Sequence, residues 1–231
     1  MYICNQCPRK CSVDRSEAVG VGQNYKVARA ALHYWEEPCI SGKKGSGTVF
    51  FSGCPLKCVY CQNSSISDGC FGKEISEKRL IEIFKELEAQ GANNINLVSP
   101  THYAEQLSDT LSKYKPSIPV VYNTGGYDSV DTLKKLEGLV DVFLTDIKYV
   151  SPTVSKKYSR AENYFEVASK AVLEMRRQQP EDIFEDGILK KGLIIRHLVL
   201  PGNISQGIKA LEWINGNLSS NTIISLMGQY M

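Results

Sequence analysis

The chain has 231 residues, a formal net charge of +2, and a composition that is 42% hydrophobic and 23% charged. This profile fits a globular protein with one large α/β core better than two separate cores, and dispersed Lys and Arg argue against nucleic acid binding. No apolar run approaches the ~18–20 residues of a membrane span.

The opening Met1-Tyr-Ile-Cys-Asn-Gln-Cys7 lacks the basic-then-apolar shape of a signal peptide, so a cytoplasmic protein is expected. Thiols stay reduced there. The eight cysteines fall into groups: Cys4, Cys7 and Cys11, then Cys39, then Cys54, Cys58 and Cys61, with Cys70 trailing. Such clustering points to metal or iron–sulfur ligation.

Residues 1–46 read as an irregular, Cys-containing extension. It carries an amphipathic stretch, Lys26–Trp35, and a Gly-rich lead-in, Gly42–Gly47, that does not match a phosphate loop. Residues 47–231 read as one α/β domain. Thr48–Ser52 is a buried strand by composition. Ser76 is expected to cap a helix with Leu80, Ile83, Phe84 and Leu87 on one face, ended by Gly91. Asn94–Ser99 is a second strand, and Tyr103, Leu107, Leu111 and Tyr114 keep helical spacing. Pro119–Asn123 and Leu139–Ile147 are further strands, separated by a short helix with Val130, Leu133 and Leu136. Ser151-Pro152 opens a helical region through about Gln178. Leu193–Leu200 is the fifth strand, Ser205 is expected to cap the next helix, and Thr222–Leu226 is the sixth.

Strands alternating with helices argue for parallel β-α units, in an open sheet or a barrel. In either, ligand-binding groups gather at the C-terminal ends of strands. The polar segments Ser99–His102, Asn123–Thr124, Asp146–Lys148 and Pro201–Asn203 stand at such ends. So does the loop Cys54-Pro-Leu-Lys-Cys58-Val-Tyr-Cys61, with its C-x3-C-x2-C spacing. Structural zinc needs four ligands, and this loop supplies three. Zinc with a distant fourth ligand, a metal-free thiol loop, and an iron–sulfur cluster with one open iron all fit the count. The cluster is the favoured reading.

With Tyr60 as its aromatic residue, C-x3-C-x-aromatic-C after the first strand resembles the signature of the radical S-adenosylmethionine (radical SAM) enzymes. The chain is most similar to the pyruvate formate-lyase activating enzyme group, in its relatives that begin Cys-x2-Cys-Pro-Arg-x-Cys. Cys7-Pro-Arg-Lys-Cys11, Glu36-Glu-Pro-Cys-Ile-Ser-Gly42, Asp146-Ile-Lys148 and Arg196-His-Leu-Val-Leu-Pro-Gly202 carry that likeness.

The resemblance implies a partial (β/α)6 TIM-like barrel. It also implies a [4Fe-4S] cluster on Cys54, Cys58 and Cys61, whose free iron receives S-adenosylmethionine. The cofactor would be contacted by Tyr60, Ser99, Thr101, Asn123, Asp146, Lys148 and Arg196. Where many members have Gly-Gly-Glu this chain has Ser99-Pro-Thr-His102, and where the activating enzymes have Asp-Thr-Asn-Gly it has Asn123-Thr-Gly-Gly126. Arg196 and His197 are adjacent on a strand and face opposite sides, with Arg196 the favoured contact. His102, His197, Gln229 and Tyr230 are candidates for the substrate side.

Cys4, Cys7 and Cys11 with Cys39 offer four ligands for zinc or a second cluster, or they carry no metal. Expected partners are a low-potential electron donor such as flavodoxin or ferredoxin, and a glycyl radical enzyme or peptide as substrate. A small metabolite is an alternative substrate. A non-catalytic iron–sulfur or zinc protein for electron transfer is the competing class, but a simple carrier needs no ring of polar strand ends.

Overall fold

The computed structural model describes residues 5–12, 14, 24–68 and 71–228. Strand β1, Tyr25–His33, pairs antiparallel with β2, Ser46–Phe51, and with the short edge strand β3, Lys73–Ile75. Next to β2, in order, stand β4 (Ile95–Val98), β5 (Val120–Thr124), β6 (Val142–Asp146) and β8 (Ile188–Leu198), all parallel. Beyond them β9, Ile223–Met227, pairs parallel with β8, whose first half also forms an antiparallel hairpin with β7, Ile183–Glu185. The sheet is mostly parallel and does not close on itself.

Two departures from the sequence reading concern the sheet. Residues 25–33, expected within an irregular extension, form β1 and run along β2 as far as Ser46. The β7–β8 hairpin turns at Asp186 and Gly187, both with positive φ.

The helices follow local signals. Short α1, Pro38–Ser41, and α2, Ser64–Ser67, flank β2 and the cysteine loop. Helix α3, Glu77–Ala89, is capped by Ser76, whose hydroxyl accepts the Arg79 N–H. It buries Leu80, Ile83, Phe84 and Leu87 against β1, β2 and β4. Helix α4 spans Ala104–Lys113, and Ser129 caps α5, Val130–Lys134. The long helical region is two helices, α6 (Pro152–Ser159) and α7 (Tyr164–Gln178), because Arg160 turns left-handed at φ 51° and ends the first. Helix α8, Ile204–Asn217, starts after Asn203; Ser205, the expected cap, lies inside its first turn. Among the described residues no helix is long and apolar enough to cross a membrane.

Strand alternation divides the core. On one face Phe143 of β6, Leu193 and Ile195 of β8 and Tyr122 of β5 pack with Leu133, Ala171 and Met175 of the helices. On the other, the inner face, Val121, Val142, Leu144 and Ile194 pack with one another and with Ile40 of α1. Continuing that inner period by one step reaches Asn123, Asp146 and Arg196. The polar site is thus the last layer of an otherwise apolar stack.

Replacing Ser76 by Ala should cost about 1 kcal/mol through loss of the cap. In a chain of this size that lowers Tm by roughly 2–4 °C, readable in a thermal melt; an unchanged Tm would contradict the capping role.

Candidate functional site

The loop that follows β2 carries Cys54, Cys58 and Cys61, and all three side chains line one cavity of about 490 Å³ at the C-terminal strand ends. Ser99, Asn123, Asp146, Lys148 and Arg196 line the same cavity. An adjoining cavity of about 620 Å³ shares Cys58, Cys61 and the Asp146–Lys148–Arg196 group, and reaches Tyr60, Leu198 and Leu226. Trp35, 90% exposed, stands at the edge of both.

Backbone contacts fix the loop. The Gly53 N–H donates to Ile66 O, the Val59 N–H to Tyr158 O, and the Lys57 N–H to Ser159 O. From the N-terminal segment, Arg9 donates to Pro55 O at 2.8 Å and to Ser159 O at 3.1 Å, and also bonds to Arg160 O. These last two acceptors lie at the C-terminal end of α6, where carbonyls lack helical partners and favour a cation.

Two of the thiols meet hydroxyl groups. Cys58 Sγ is 3.0 Å from Ser159 Oγ, and Cys61 Sγ is 3.3 Å from Ser67 Oγ. In the metal-free protein, burial pushes the Cys54 thiol up to about 12, with the neighbouring Cys58 adding to the effect. Burial also raises Cys58, against the pull of Lys148 and of the Ser159 hydroxyl. Three soft thiols facing one cavity, near a cation and two hydroxyl donors, fit an iron–sulfur cluster by donor chemistry.

A charge network lines the same cavity. Arg196 donates from Nε to Asp146 Oδ1 (2.8 Å), from Nη1 to Glu36 Oε1 (3.0 Å) and from Nη2 to Asn123 Oδ1 (2.8 Å). Asp146 also pairs with Lys148. Glu36 Oε2 accepts from Asn123 (2.7 Å) and Asn96 (3.3 Å). Burial works to raise the Asp146 pKa, but Arg196 and then Lys148 outweigh it and hold it below the usual carboxylate value. For Lys148, burial works downward and Asp146, followed by Cys58, overrides it upward. The Asp146 end is built closely. The single Tyr164 hydroxyl proton is shared between the carbonyls of Gly125 and Asp146, each 2.9 Å away, and a Cβ on Gly126 (φ 81°) would stand 2.2 Å from the Asp146 carbonyl oxygen. Only glycine fits there.

Other sequence candidates stand elsewhere. Thr101 is buried behind the cavity wall, 3.1 Å from Thr124 Oγ1, which in turn donates to the buried Asp128. His102 is fully buried against Tyr103, with Nε2 2.8 Å from Ser52 O. His197 faces α8: its Nδ1 is 2.6 Å from Ile147 O, and Nε2 lies 3.0 Å from where a Cβ on Gly207 would be. Gln229, Tyr230, Cys4 and Cys70 lie outside the described residues.

Of the expected Cys4, Cys7, Cys11 and Cys39 set, Cys4 lies outside the described residues. Cys39 packs at the inner apolar face beside Ile40, whereas Cys7 is buried near Tyr127 and Cys11 is exposed. Among the described residues no three His, Cys, Asp or Glu side chains converge as ligands of a single ion. Glu36 is a site residue that sequence reasoning gave no role. Nothing in the spacing of Glu36-Glu-Pro-Cys-Ile-Ser-Gly42 ties it to a strand far downstream.

A parallel α/β sheet with a cysteine-bearing loop after its first parallel strand, facing a ring of polar strand ends, defines a class of cofactor-binding protein. The chain belongs to the radical SAM superfamily, whose model matches residues 48–202. Membership implies a [4Fe-4S] cluster and S-adenosylmethionine as cofactors. The chain is similar to the uncharacterised protein MJ0674 of Methanocaldococcus jannaschii, at 31% identity over 98% of this chain and 65% of that protein. It therefore spans less than two thirds of that relative's length. Among solved structures, SuiB of Streptococcus suis superposes with a TM-score of 0.56 at 11% identity, over 80% of this chain and 39% of SuiB. SuiB bound to S-adenosylmethionine gives 0.55 at 12%, over 78% and 39%. At such identity the likeness is one of fold.

The network's charges should persist across the neutral range. A depressed Asp146 pKa contributes stability that is present above the unfolded value near 3.9 and lost as pH falls through the folded value. A raised Lys148 pKa contributes stability fully present below about 10.4 and lost as pH rises through the folded value. The Tm deficit of Asp146→Asn should therefore stay constant from about pH 5 to 9 and shrink below about pH 4. A deficit that varies strongly within the neutral range would contradict the pairing.

Proposed function

We propose that the protein is a radical SAM enzyme built on a partial (β/α)6 barrel, with Cys54, Cys58 and Cys61 as the ligands of its [4Fe-4S] cluster. The observation that carries this reading is the shared cavity, lined both by the three thiols and by the Arg196–Asp146–Lys148 network. When bound, the cluster and S-adenosylmethionine supply reductive cleavage of the sulfonium, giving methionine and a 5′-deoxyadenosyl radical that takes a hydrogen atom from the substrate.

The chain's own residues orient and enclose. Lys148 offers a cation to the methionine carboxylate, and Asp146 and Asn123 offer hydrogen-bonding groups to the amino group or ribose hydroxyls. Ser99 holds a left-handed turn (φ 58°) at the cavity edge, fixed by its N–H on Asn123 O. Arg196 fixes Asp146 and Asn123 in position. The inner apolar stack below closes the cavity floor to water.

The Cys7-Pro-Arg-Lys-Cys11 motif and the Asp146-Ile-Lys148 strand end favour the activating-enzyme type, which abstracts hydrogen from a backbone glycine of a glycyl radical enzyme or peptide. The electron donor is then a flavodoxin or ferredoxin.

Anaerobic reconstitution with iron and sulfide, followed by dithionite and S-adenosylmethionine, should yield 5′-deoxyadenosine, measured by chromatography. Cys58→Ala should abolish both cluster and product. A fully loaded wild-type protein that forms no 5′-deoxyadenosine would sink the enzyme reading. A Cys58→Ala protein with full iron would sink the ligand assignment.

A further inference from the structure

We propose that Tyr60, Tyr149 and Ser159 form a relay of three hydroxyls, all directed at the Cys58 sulfur, that raises the reduction potential of the cluster. The inference rests on the reading of Cys58 as a cluster ligand.

Proton counting fixes the direction. Ser159 Oγ lies 3.0 Å from Cys58 Sγ and 3.0 Å from Tyr149 Oη, and Tyr149 in turn bonds to Tyr60 Oη. A ligating sulfur is a thiolate with no proton, so it can only accept. The single Ser159 proton must then go to Cys58. Tyr149 must in consequence donate to Ser159, and Tyr60 must donate to Tyr149. With Cys58 as acceptor, this assignment satisfies all three contacts.

The geometry is held from outside the relay. The Ser159 carbonyl accepts from Arg9 and from the Lys57 N–H, and Arg9 also grips Pro55 of the cysteine loop. The peptide unit bearing the hydroxyl is thereby tied to the loop bearing the sulfur. Ser159 and Tyr149 are fully buried, so the relay works at low local dielectric, where successive hydrogen bonds strengthen one another. The three thiols are thus unequal: Cys61 meets one hydroxyl at 3.3 Å, whereas Cys58 meets the end of a chain of three.

Reduction adds one electron and increases negative charge on the sulfurs. A hydrogen bond donated to a ligand sulfur stabilises that state, and losing it moves the potential downward. Tyr60, Tyr149 and Ser159 are positioning residues here.

The test is a potentiometric titration of the anaerobically reconstituted full chain, without S-adenosylmethionine, followed by electron paramagnetic resonance. Iron and sulfide content are measured first. Ser159→Ala, Tyr149→Phe and Tyr60→Phe should titrate at more negative potentials, with the effect falling in that order. At the wild-type midpoint, the oxidised-to-reduced ratio of Tyr149→Phe should rise several-fold. Tyr127→Phe, which loses a hydroxyl bonded to Asn163 outside the relay, should titrate like the wild type. If Ser159→Ala fails to hold iron, Tyr149→Phe decides, because it leaves the serine and the ring in place. Fully loaded Tyr149→Phe and Tyr60→Phe proteins at the wild-type potential would overturn the relay alone. A wild-type chain that takes up no cluster would overturn the functional reading as well.

Discussion

Arg196 is the fastener on which the rest of the site depends. A guanidinium presents five donors in a rigid plane, so it can hold several acceptors at once where a lysine would serve one point. Here its nitrogens reach Asp146 at the end of β6, Asn123 at the end of β5 and Glu36 beyond β1. The last is 160 residues away in sequence. Buried charges persist only when paired and hydrogen-bonded, so each of these groups requires the others. Two strand ends and the segment leaving the antiparallel strand are locked into one geometry by one side chain.

The thiol-bearing part of the cavity has a different physics. The cysteine loop contains no regular secondary structure of its own, and its three thiols must keep fixed separations. It is held from both sides. Arg9 and the Lys57 and Val59 amides fasten it to α6 and the residues around it, while Leu56, Tyr149 and Tyr164 pack beneath. The N-terminal segment therefore has a mechanical task at the site whatever its cysteines bind. A loop braced in this way can present thiolates without relying on metal to organise the backbone.

Much of this could be read from the sequence because periodicity and punctuation are local. The face Leu80, Ile83, Phe84 and Leu87 repeats at helical spacing, and Ser76 and Ser151 each cap a helix start. Period-2 alternation placed Arg196 and His197 on opposite faces, and the structure sends Arg196 to the cavity and His197 to α8. What escaped depends on tertiary contact. Tyr25–His33 contains Ala, Lys and Arg in an amphipathic order that carries no strand signal; pairing with β2 overrides its local preference. His102 stands just past a strand, but the 3-10 turn Thr101–Tyr103 folds it back under Ser52. Glu36 acquires its partner only when β8 is in place.

Within the network, the formal charges cancel: Glu36 and Asp146 stand against Lys148 and Arg196. That balance bears on what the cavity can accept. An incoming anion drawn to Lys148 must displace Asp146, and the displaced carboxylate is left buried with less compensation. An incoming cation faces the converse problem. A ligand that brings both charges on adjacent atoms can exchange partners pairwise, leaving no charge unpaired. The amino-acid end of S-adenosylmethionine is such a ligand, and a simple phosphate is not. On the proposed reading, selectivity for the cofactor's zwitterionic end comes from a neutral, rigid network rather than from a free cation waiting for an anion. The same rigidity explains why Gly126 must be glycine. A shift of the Asp146 backbone would misalign both of the carboxylate's cationic partners at once.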